Sequence, residues 1–457
     1  MKKTFLLTTA MGFLGASSLL AAQADIYITG ATAFRASVYT ACTKLYSSAP
    51  SIYYGDAAHG GAGSGFGSKT ASWCMTGTPI SGLSSKFGSG PLVIHGLFTG
   101  SIQGLANVEQ KTKLVWATPA GTLSGGLTSG YVTNTPTIGF SDASGVSSPY
   151  PATGNYVEEK VAMQPFVFVK SVGSGAAATA LAKVTGVTWD QMEYGIPQGR
   201  LPLSAWTYKT TDTNTFIYLV ERTSDSGTRR NFTAEQAYQF NDPFGVYIFD
   251  VTNNFWFAGT NSNNSLIGSS PNGIVGAAGL GNVNLNWGSG YVGGGDIATE
   301  LGYTNSANAA IAFLSIADAR AINNTATNWT QVLPVNGIWP STVGAGISGS
   351  TSNNYAPITT GYYPCWGAEV LVHPVDMTAY TDQNVTSSQL GSQTSPGSFL
   401  GVFNAQTYIN GGSPIVGSIE NEIELSKSVA PGATAIRLNE MINNRASDGG
   451  IISPPFN

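Results

Sequence analysis

One local pattern recurs along this chain: an apolar run rich in β-forming residues, then a turn of Gly, Ser and Thr, then apolar residues at helical spacing. Its first occurrence runs from Ile26 through Thr29 to Thr32, after which Phe34, Val38 and Leu45 recur with helical periodicity. Thr32 is predicted to cap that helix, because its hydroxyl can accept a free backbone N–H group. Alternation of strand and helix predicts an α/β fold, with a sheet covered by helices.

Four later segments carry the same strand signature, and most are followed by a small-residue turn: Leu92–Phe98, Thr137–Phe140, Gln164–Val169 and Phe216–Val220. The segment Gln164–Val169 is apolar at almost every position after Pro165. Such a run predicts a strand buried on both faces, which is typical of parallel sheets with helices on each side.

The amino terminus has the order of a secretory signal: a basic Met1–Lys3, an apolar Phe5–Leu20 and the small-residue end Ala22–Ala24. We expect cleavage after Ala24, so residues 1–24 form a signal peptide. The rest, about 430 residues, exceeds the size of one hydrophobic core and predicts two lobes. No later stretch reaches the roughly 20 apolar residues of a membrane span. Since Asp25 rather than a cysteine follows the cleavage site, we expect a free periplasmic or secreted protein.

Composition restricts the partners. Only 10% of residues are charged, and Gly numbers 57. Removing Lys2 and Lys3 leaves 18 basic against 25 acidic residues, a formal charge of −7. That balance argues against a nucleic-acid partner, which needs a basic surface, but leaves room for a small anion held by local dipoles. Gly/Ser/Asn-rich tracts at 55–68, 252–295 and 341–360 predict surface insertions.

The three cysteines and three histidines predict no metal site, because no second His or Cys stands at ligand spacing. Cys42 and Cys74 flank a predicted insertion and are the candidate disulfide pair of an exported chain. Cys365 is expected to be a buried apolar side chain. We predict no cofactor.

Turns that join a strand to a helix carry the candidate chemistry. Free backbone N–H groups and the positive end of the helix dipole converge there, so the turn attracts an anion. Ligands of open α/β sheets lie beyond the carboxyl ends of the strands, where several turns can share one crevice. Four turns have this form: Thr32–Phe34, Gly100–Ser101, Ser141–Asp142 and Ser226–Thr228.

Arg222, four residues before Ser226, adds a planar cation that can grip two oxyanion oxygens. The alternative is that Arg222 pairs with Glu221 or Asp225 on a solvated turn. Asp142 suits an anion site only if the ligand keeps a proton, since an ionised carboxylate can only accept; it would then favour phosphate over sulfate. Its alternative is an Asx turn that closes at Ser144.

Taken together and in this order, these segments resemble the phosphate-binding proteins that feed bacterial ABC phosphate importers. Ile28–Phe34 resembles the family's first strand and Thr-Phe turn, Gly100–Ser101 its Gly-Ser turn, and Gly139–Ala143 its Gly-Ala-Ser-Asp-Ala stretch. Arg222–Thr228 resembles its Arg-x-x-x-Ser-Gly-Thr motif. Tyr363–Trp366 is similar to the segment that returns to the first lobe.

The resemblance implies a two-lobed type 2 periplasmic-binding fold with Gly/Ser/Asn-rich insertions. Lobe 1 would comprise 25–163 plus 366–457, and lobe 2 would comprise 164–365. It also implies a monomer that binds phosphate or a similar oxyanion and serves an ABC permease. The sequence departs from the family at Ala33, which stands where a threonine hydroxyl is usual. The implied ligand-binding residues are Thr32, Ala33, Phe34, Ser101, Asp142, Arg222, Ser226, Gly227 and Thr228.

Two other functions are alternatives to solute capture. A hydrolase would need an activated nucleophile or a paired acid and base, and no such motif is present, so no enzyme activity is expected. The stronger rival is a surface or matrix protein that uses the same fold for adhesion or glycan binding. Its support is the Gly/Ser/Asn-rich insertions together with 9 Trp and 20 Tyr, because exposed aromatic rings bind sugars.

Overall fold

A computed structural model describes the larger part of the chain between residues 23 and 448. The predicted signal at 1–24 lies outside this part except for its last two residues, and so does most of the predicted insertions. No helix in the described part is long and apolar enough to cross a membrane. The described residues are 23–55, 71–119, 130–151, 154–223, 225–236, 245, 247–250, 253–258, 283–284, 290–291, 293–322, 331–342, 355–405, 419, 436–441, 445 and 448.

Seventeen strands are described, and most of them join one mixed sheet. In chain order they are β1 (Ala24–Gly30), β2 (Ser51–Tyr54), β3 (Ser72–Gly77), β4 (Leu92–Leu97), β5 (Leu114–Ala117), β6 (Tyr131–Asn134), β7 (Ile138–Ser141), β8 (Tyr156–Lys170), β9 (Arg200–Pro202), β10 (Phe216–Val220), β11 (Tyr247–Asp250), β12 (Phe255–Ala258), β13 (Val283–Asn284), β14 (Gly290–Tyr291), β15 (Ala310–Ser315), β16 (Val332–Leu333) and β17 (Trp366–Pro374).

The described α-helices are short and fall between these strands. They are α1 (Arg35–Thr43), α2 (Ser81–Phe87), α3 (Ser101–Glu109), α4 (Gly175–Ala182), α5 (Trp189–Gln198), α6 (Ser204–Thr207), α7 (Gly227–Glu235), α8 (Gly294–Leu301), α9 (Ile316–Ala321), α10 (Ala356–Thr359), α11 (Ser387–Leu390) and α12 (Phe399–Phe403).

The sheet divides into two halves that share β8. The strand order is β2-β3-β4-β1-β7-β17-β8-β15-β10-β9, with β16 also paired to β8. The first part of β8 pairs with β17, whereas Phe166–Lys170 pairs with β15. One 15-residue strand therefore continues from one half-sheet into the other.

Each half-sheet has its own hydrophobic core, which gives the molecule two lobes. One core packs Phe34, Phe140 and Phe403 with the strands of the first half-sheet. The other packs Phe168 and Phe313 with the strands of the second. The sequence-based expectation of two lobes in an α/β architecture is met, since a helix-covered mixed sheet carries two separate cores.

The prediction for Gln164–Val169 was right about burial and wrong about pairing. These residues are fully buried within β8, but β8 runs antiparallel to β15, β16 and β17. The parallel pairs lie elsewhere, between β1 and both β4 and β7, and between β10 and β15. A strand covered on both faces has the same apolar composition in either orientation, so the sequence does not reveal its direction.

Two local predictions fail in the first lobe. Helix α1 begins at Arg35 with Phe34 as its N-cap, so Thr32 does not cap it. Cys42 and Cys74 are free and buried. Cys42 belongs to the core that also contains Trp73, whereas Cys74 packs in a small cluster on the other face of the sheet. Neighbouring residues of a strand point to opposite faces, which keeps the two thiols apart. Cys365 is buried, as expected.

Candidate functional site

The candidate site lies where three parallel strands of the first lobe end. Strands β4, β1 and β7 are neighbours and run in the same direction. Their carboxyl ends therefore meet at one edge, where α3 begins at Ser101 and where Asp142 follows β7. Gly30 ends β1 at a φ of 122°, a conformation that favours glycine, and its carbonyl accepts from the Gly100 N–H at 3.1 Å. These turns form the first-lobe wall of the site.

Asp142 is the centre of the site. Its side chain is 1% exposed. The hydroxyl of Ser101 donates to Oδ1, and the hydroxyl of Thr228 donates to Oδ2 at 3.2 Å. The amide of Asn231 donates to the Asp142 backbone carbonyl. Ser101 belongs to the first lobe and the other two donors to the second, so one buried carboxylate joins the lobes.

The second lobe contributes the amino-terminal end of α7. Gly227 is its first residue, and the Asp142 carboxylate lies where a Cβ on Gly227 would be. Glycine is required there because any side chain would collide with the carboxylate. The carboxylate therefore sits against the positive end of a nine-residue helix, the position that an oxyanion favours.

Arg222 closes one side of the site. It is 2% exposed, its Nε donates to the Tyr291 carbonyl at 3.3 Å, and its Nη2 donates to the Thr32 hydroxyl of the other lobe at 3.4 Å. The solvated-turn interpretation is therefore wrong. Glu221 uses its carboxylate to accept the Arg222 backbone N–H at 2.7 Å.

Asp142 does not form the Asx turn that was its alternative role. The Ser144 N–H, which would close that turn, donates to the Asp448 carboxylate at 2.8 Å. The Ser141 hydroxyl donates to the Ala143 carbonyl at 2.6 Å and accepts the Ala143 N–H at 3.1 Å. The Asp142 carboxylate is therefore directed to the interlobe site rather than to its own turn.

Burial and hydrogen bonding oppose each other at Asp142. Desolvation is the largest influence and raises the pKa of its carboxyl above the usual value, because the charged form loses water. The hydroxyl donors Ser101 and Thr228 and the positive charge of Arg222 lower that pKa. Burial also raises the pKa of Asp225, while the positive charge of Arg222 lowers it. The Asp225 backbone carbonyl accepts the Ile102 N–H of the other lobe at 3.0 Å.

Three predicted residues, Phe34, Ala33 and Ser226, contribute no side-chain group to the site. Phe34 is 1% exposed and packs on Phe140 with ring centroids 5.8 Å apart, so its side chain belongs to the core. Ala33 is half-buried and offers no polar side-chain atom. The Ser226 hydroxyl caps α7 by accepting the Arg229 N–H at 3.3 Å. The structure thus brings together Thr32, Ser101, Asp142, Arg222, Gly227 and Thr228.

A layer of charge behind Arg222 was not predicted from the sequence. The guanidinium of Arg229 donates to the Arg222 carbonyl at 3.0 Å. Burial lowers the pKa of Arg229 to about 10 and raises the pKa of Glu221 to about 7. The opposite charges of Arg229 and Glu221 act against these shifts, because each stabilises the charged form of the other. The sequence signal was available, because Arg229 and Arg230 directly follow the Gly-Thr of the motif in a helix that is buried from Gly227 to Ala234.

Further charged groups surround the crevice. Arg35 begins α1, and its charge interacts with those of Arg222, Asp296 and Asp318. Asp296 accepts the Gly293 N–H at 3.0 Å in α8, and burial raises its pKa to about 6. These residues come from helix starts in both lobes, and none belongs to the four predicted strand-to-helix turns.

The site holds neither a metal-binding cluster nor the groove that lies elsewhere on the described surface. In the part of the chain that the structure describes, no three His, Cys, Asp or Glu side chains are grouped so that they could hold a metal ion. A groove of 460 Å³ lies on α5, away from the predicted residues; it is lined by Asp190, Glu193, Tyr194, Pro197 and Gln198.

No family model matches the chain, and no curated protein matches it in sequence. Solved structures that it resembles are phosphate-binding proteins. An ABC-type phosphate transport receptor from Vibrio cholerae is 12% identical at a TM-score of 0.35, covering 79% of this chain and 94% of that one. A high-affinity periplasmic phosphate-binding protein, PfluDING, is 13% identical at 0.36, covering 91% and 92%. A human phosphate-binding apolipoprotein is 13% identical at 0.36, covering 90% of each chain. So distant a likeness assigns no ligand and no residue role.

Proposed function

We propose that this protein captures phosphate, or a similar oxyanion that keeps a proton, between its two lobes. The observation that supports the proposal is the meeting of Ser101, Asp142 and Thr228 at the start of α7, with Arg222 at its side. A carboxylate acceptor, hydroxyl donors, a helix amino terminus and a buried guanidinium form the donor and acceptor set that a protonated oxyanion needs.

Each group has a defined part in the proposed binding. The ionised oxygens of phosphate would accept hydrogen bonds from the hydroxyls of Ser101 and Thr228 and from Arg222, while the phosphate O–H would donate to Asp142. Ser101 and Thr228 now donate to Asp142, so binding requires their hydroxyls to turn toward the ligand. Such rotation is cheap, because a hydroxyl rotor reorients without moving the backbone.

The lobes would separate to admit the ligand and close around it. The proposed lobe 1 is 25–163 plus 366–457 and the proposed lobe 2 is 164–365. Strand β8 and the chain that enters β17 at Trp366 cross between the two half-sheets and would bend as the hinge, as in other two-lobed binding proteins. We place the protein outside the cytoplasm, delivering phosphate to an ABC permease, and assign it no enzyme activity.

Calorimetric titration with phosphate, arsenate and sulfate tests the proposal. We expect saturable binding of phosphate and arsenate, weaker binding of sulfate, and a rise in the melting temperature with phosphate. Absence of both heat and thermal stabilisation with every oxyanion would overturn the proposed function. Release of phosphate from a generic monoester would overturn the non-enzyme part of it.

Arg222→Ala is the matching variant. Truncating a buried, hydrogen-bonded charge costs at least about 2 kcal/mol, so phosphate binding should weaken by about thirtyfold or more. Arg200→Ala is the control, because that guanidinium stacks over Phe216 at 4.3 Å at the edge of the second half-sheet. Equal loss in both variants would show that Arg222 acts through general stability.

A further inference from the structure

A second carboxyl, Glu369, lies behind the candidate site and has no part in the proposed binding. It is 0% exposed on β17, and neither of its carboxyl oxygens has a hydrogen-bond partner in the described part of the chain. A buried ionised carboxylate without donors would be very costly, whereas the neutral acid is tolerated. The surroundings of Glu369 therefore require that it carry a proton.

The strand register places Glu369 next to Asp142. Val370 pairs with Ser141 across β17 and β7, so the preceding residue of β17 lies beside the residue that follows Ser141. Desolvation raises the pKa of Glu369 well above its usual value, and the charge of Asp142 raises it further. Two neighbouring buried carboxyls cannot both ionise at low cost.

The hydrogen-bond donors decide which of the two acids keeps the proton. Asp142 accepts from Ser101 and Thr228 and has Arg222 nearby, and all three favour its ionised form. Glu369 has no such support. The proton therefore belongs on Glu369, which leaves Asp142 charged and able to accept the O–H of a ligand once the Ser101 and Thr228 hydroxyls turn to that ligand.

Neutral neighbours around Glu369 agree with this assignment. Gly367, on the same face of β17, lies under the side chain of Asn231, whose Oδ1 has no donor in the described chain. Opposite Glu369 on β8 is Ala162, and Lys160 is directed away, to the Arg445 carbonyl at 3.3 Å. Two helices begin nearby, and they present the neutral side chains of Ser101 on α3 and Asn231 on α7. The only charged residue of α3 is Glu109, at its far end, and the charged residues of α7 are Arg229, Arg230 and Glu235.

We propose that Glu369 is the proton-bearing partner of Asp142, and that the site binds its oxyanion only while Glu369 keeps that proton. The inference rests on the proposed function and adds an alkaline limit to it. When Glu369 ionises, a second negative charge lies beside Asp142 and repels the anion. Glu369 is thus a positioning residue for charge, and it does not touch the ligand.

Infrared spectroscopy tests where the proton lies. A protonated carboxyl has a C=O stretching band that a carboxylate lacks. We expect such a band at neutral pH in the full-length protein, and we expect Glu369→Gln to remove one component of it while Asp142→Asn does not. If Asp142→Asn removes that component and Glu369→Gln does not, the assignment is overturned. This measurement needs no ligand, so it stands even if phosphate does not bind.

Phosphate titrations from pH 6 to 10 test the consequence. Relative to Glu369→Gln, the unmodified protein should lose at least about tenfold in affinity over the interval in which its infrared component disappears. The ionisation of phosphate itself is common to both proteins and cancels in the ratio. Parallel profiles across that interval would overturn the proposal while leaving phosphate capture intact.

Two further variants separate this effect from folding. Glu300→Gln is the matched control, because Glu300 is also 0% exposed with neither oxygen partnered in the described chain, but lies on α8 of the other lobe. Its titration profile should follow that of the unmodified protein. Glu369→Leu supplies a second neutral side chain should the glutamine disturb folding, and it should also abolish the alkaline loss.

Discussion

At the residue scale, the chemistry of this protein depends on a carboxylate that is buried among donors. Asp142 accepts from two hydroxyls of different lobes and lies against the start of α7. Each donor stabilises the charge that burial opposes, so the carboxylate can stay ionised out of water. A group that only accepts hydrogen bonds selects a ligand that can donate one.

Asp142→Asn should therefore change selectivity more than it changes folding. The amide can donate to a fully ionised oxyanion, so discrimination between phosphate and sulfate should fall by about tenfold or more, mainly through tighter sulfate binding. Competition calorimetry with the two anions at pH 8 measures the ratio. An unchanged ratio would mean that Asp142 does not contact the ligand, and circular dichroism of the variant would show that its fold is retained.

How much of this site could be predicted depends on the range of the interaction. Ser101, Asp142 and Thr228 were found from the sequence because each stands at a local strand-to-helix turn. Their mutual contacts depend on how two lobes close, which no local pattern encodes. Glu369 was missed, although a single acid between the apolar residues Ala368 and Val370 of a buried strand was a visible signal.

At the element scale, the position of α3 decides where Ser101 lies. The helix packs on β1 and β7 through glycines, and a Cβ at Gly104 would come within 2.6 Å of the Phe140 carbonyl and 2.7 Å of the Gly30 Cα. Close approach of backbone to backbone holds the helix start beside Asp142. Ile102, Leu105 and Val108 recur at helical spacing, which predicts a helix here but does not predict this depth of packing.

Gly104→Ala should displace α3 and separate Ser101 from Asp142. Overpacking of this kind costs about 1–3 kcal/mol, and phosphate binding should weaken because one hydroxyl leaves the site. Gly295→Ala in α8 is the control, since a Cβ there meets nothing within 4 Å and alanine favours a helix by roughly 0.5–1 kcal/mol. Urea unfolding and calorimetry measure the two effects. Similar stability changes in both variants would refute the role of close packing.

At the scale of the whole molecule, several buried carboxyls have pKa values raised by desolvation. They include Glu221 at about 7 and Asp296 at about 6, together with Glu300 and Glu369 well above the usual value. Among the buried carboxyls that the structure describes, Asp25 and Glu159 oppose this trend: desolvation raises their pKa values too, but hydrogen-bond donors outweigh it and lower them. The carboxyls with raised pKa values make stability depend on pH above about 4.5, where unfolded carboxyls have ionised. The carboxyls with lowered pKa values stabilise the folded state above that pH, and this stabilisation is lost as the pH falls below it.

The stability of the protein should therefore fall as pH rises from 5 to 8. A raised folded pKa means that the native state holds protons that the unfolded chain has released, so each such group lowers stability by up to about 1.4 kcal/mol per pH unit until it ionises. Urea unfolding across this range measures the slope, and Glu300→Gln should reduce it. A flat or rising curve would contradict the assignment of protonated buried acids.

The place of β17 in the sheet has a consequence for the order in which the chain can be assembled. It lies between β7 and β8, yet it begins 225 residues after the end of β7 and 196 residues after the end of β8. While the chain is being synthesised, β7 has no strand paired on its β17 side until β17 is made, although the strands of the second half-sheet have already been synthesised. A chain truncated before Trp366 would keep that edge exposed, and exposed edges pair with other chains.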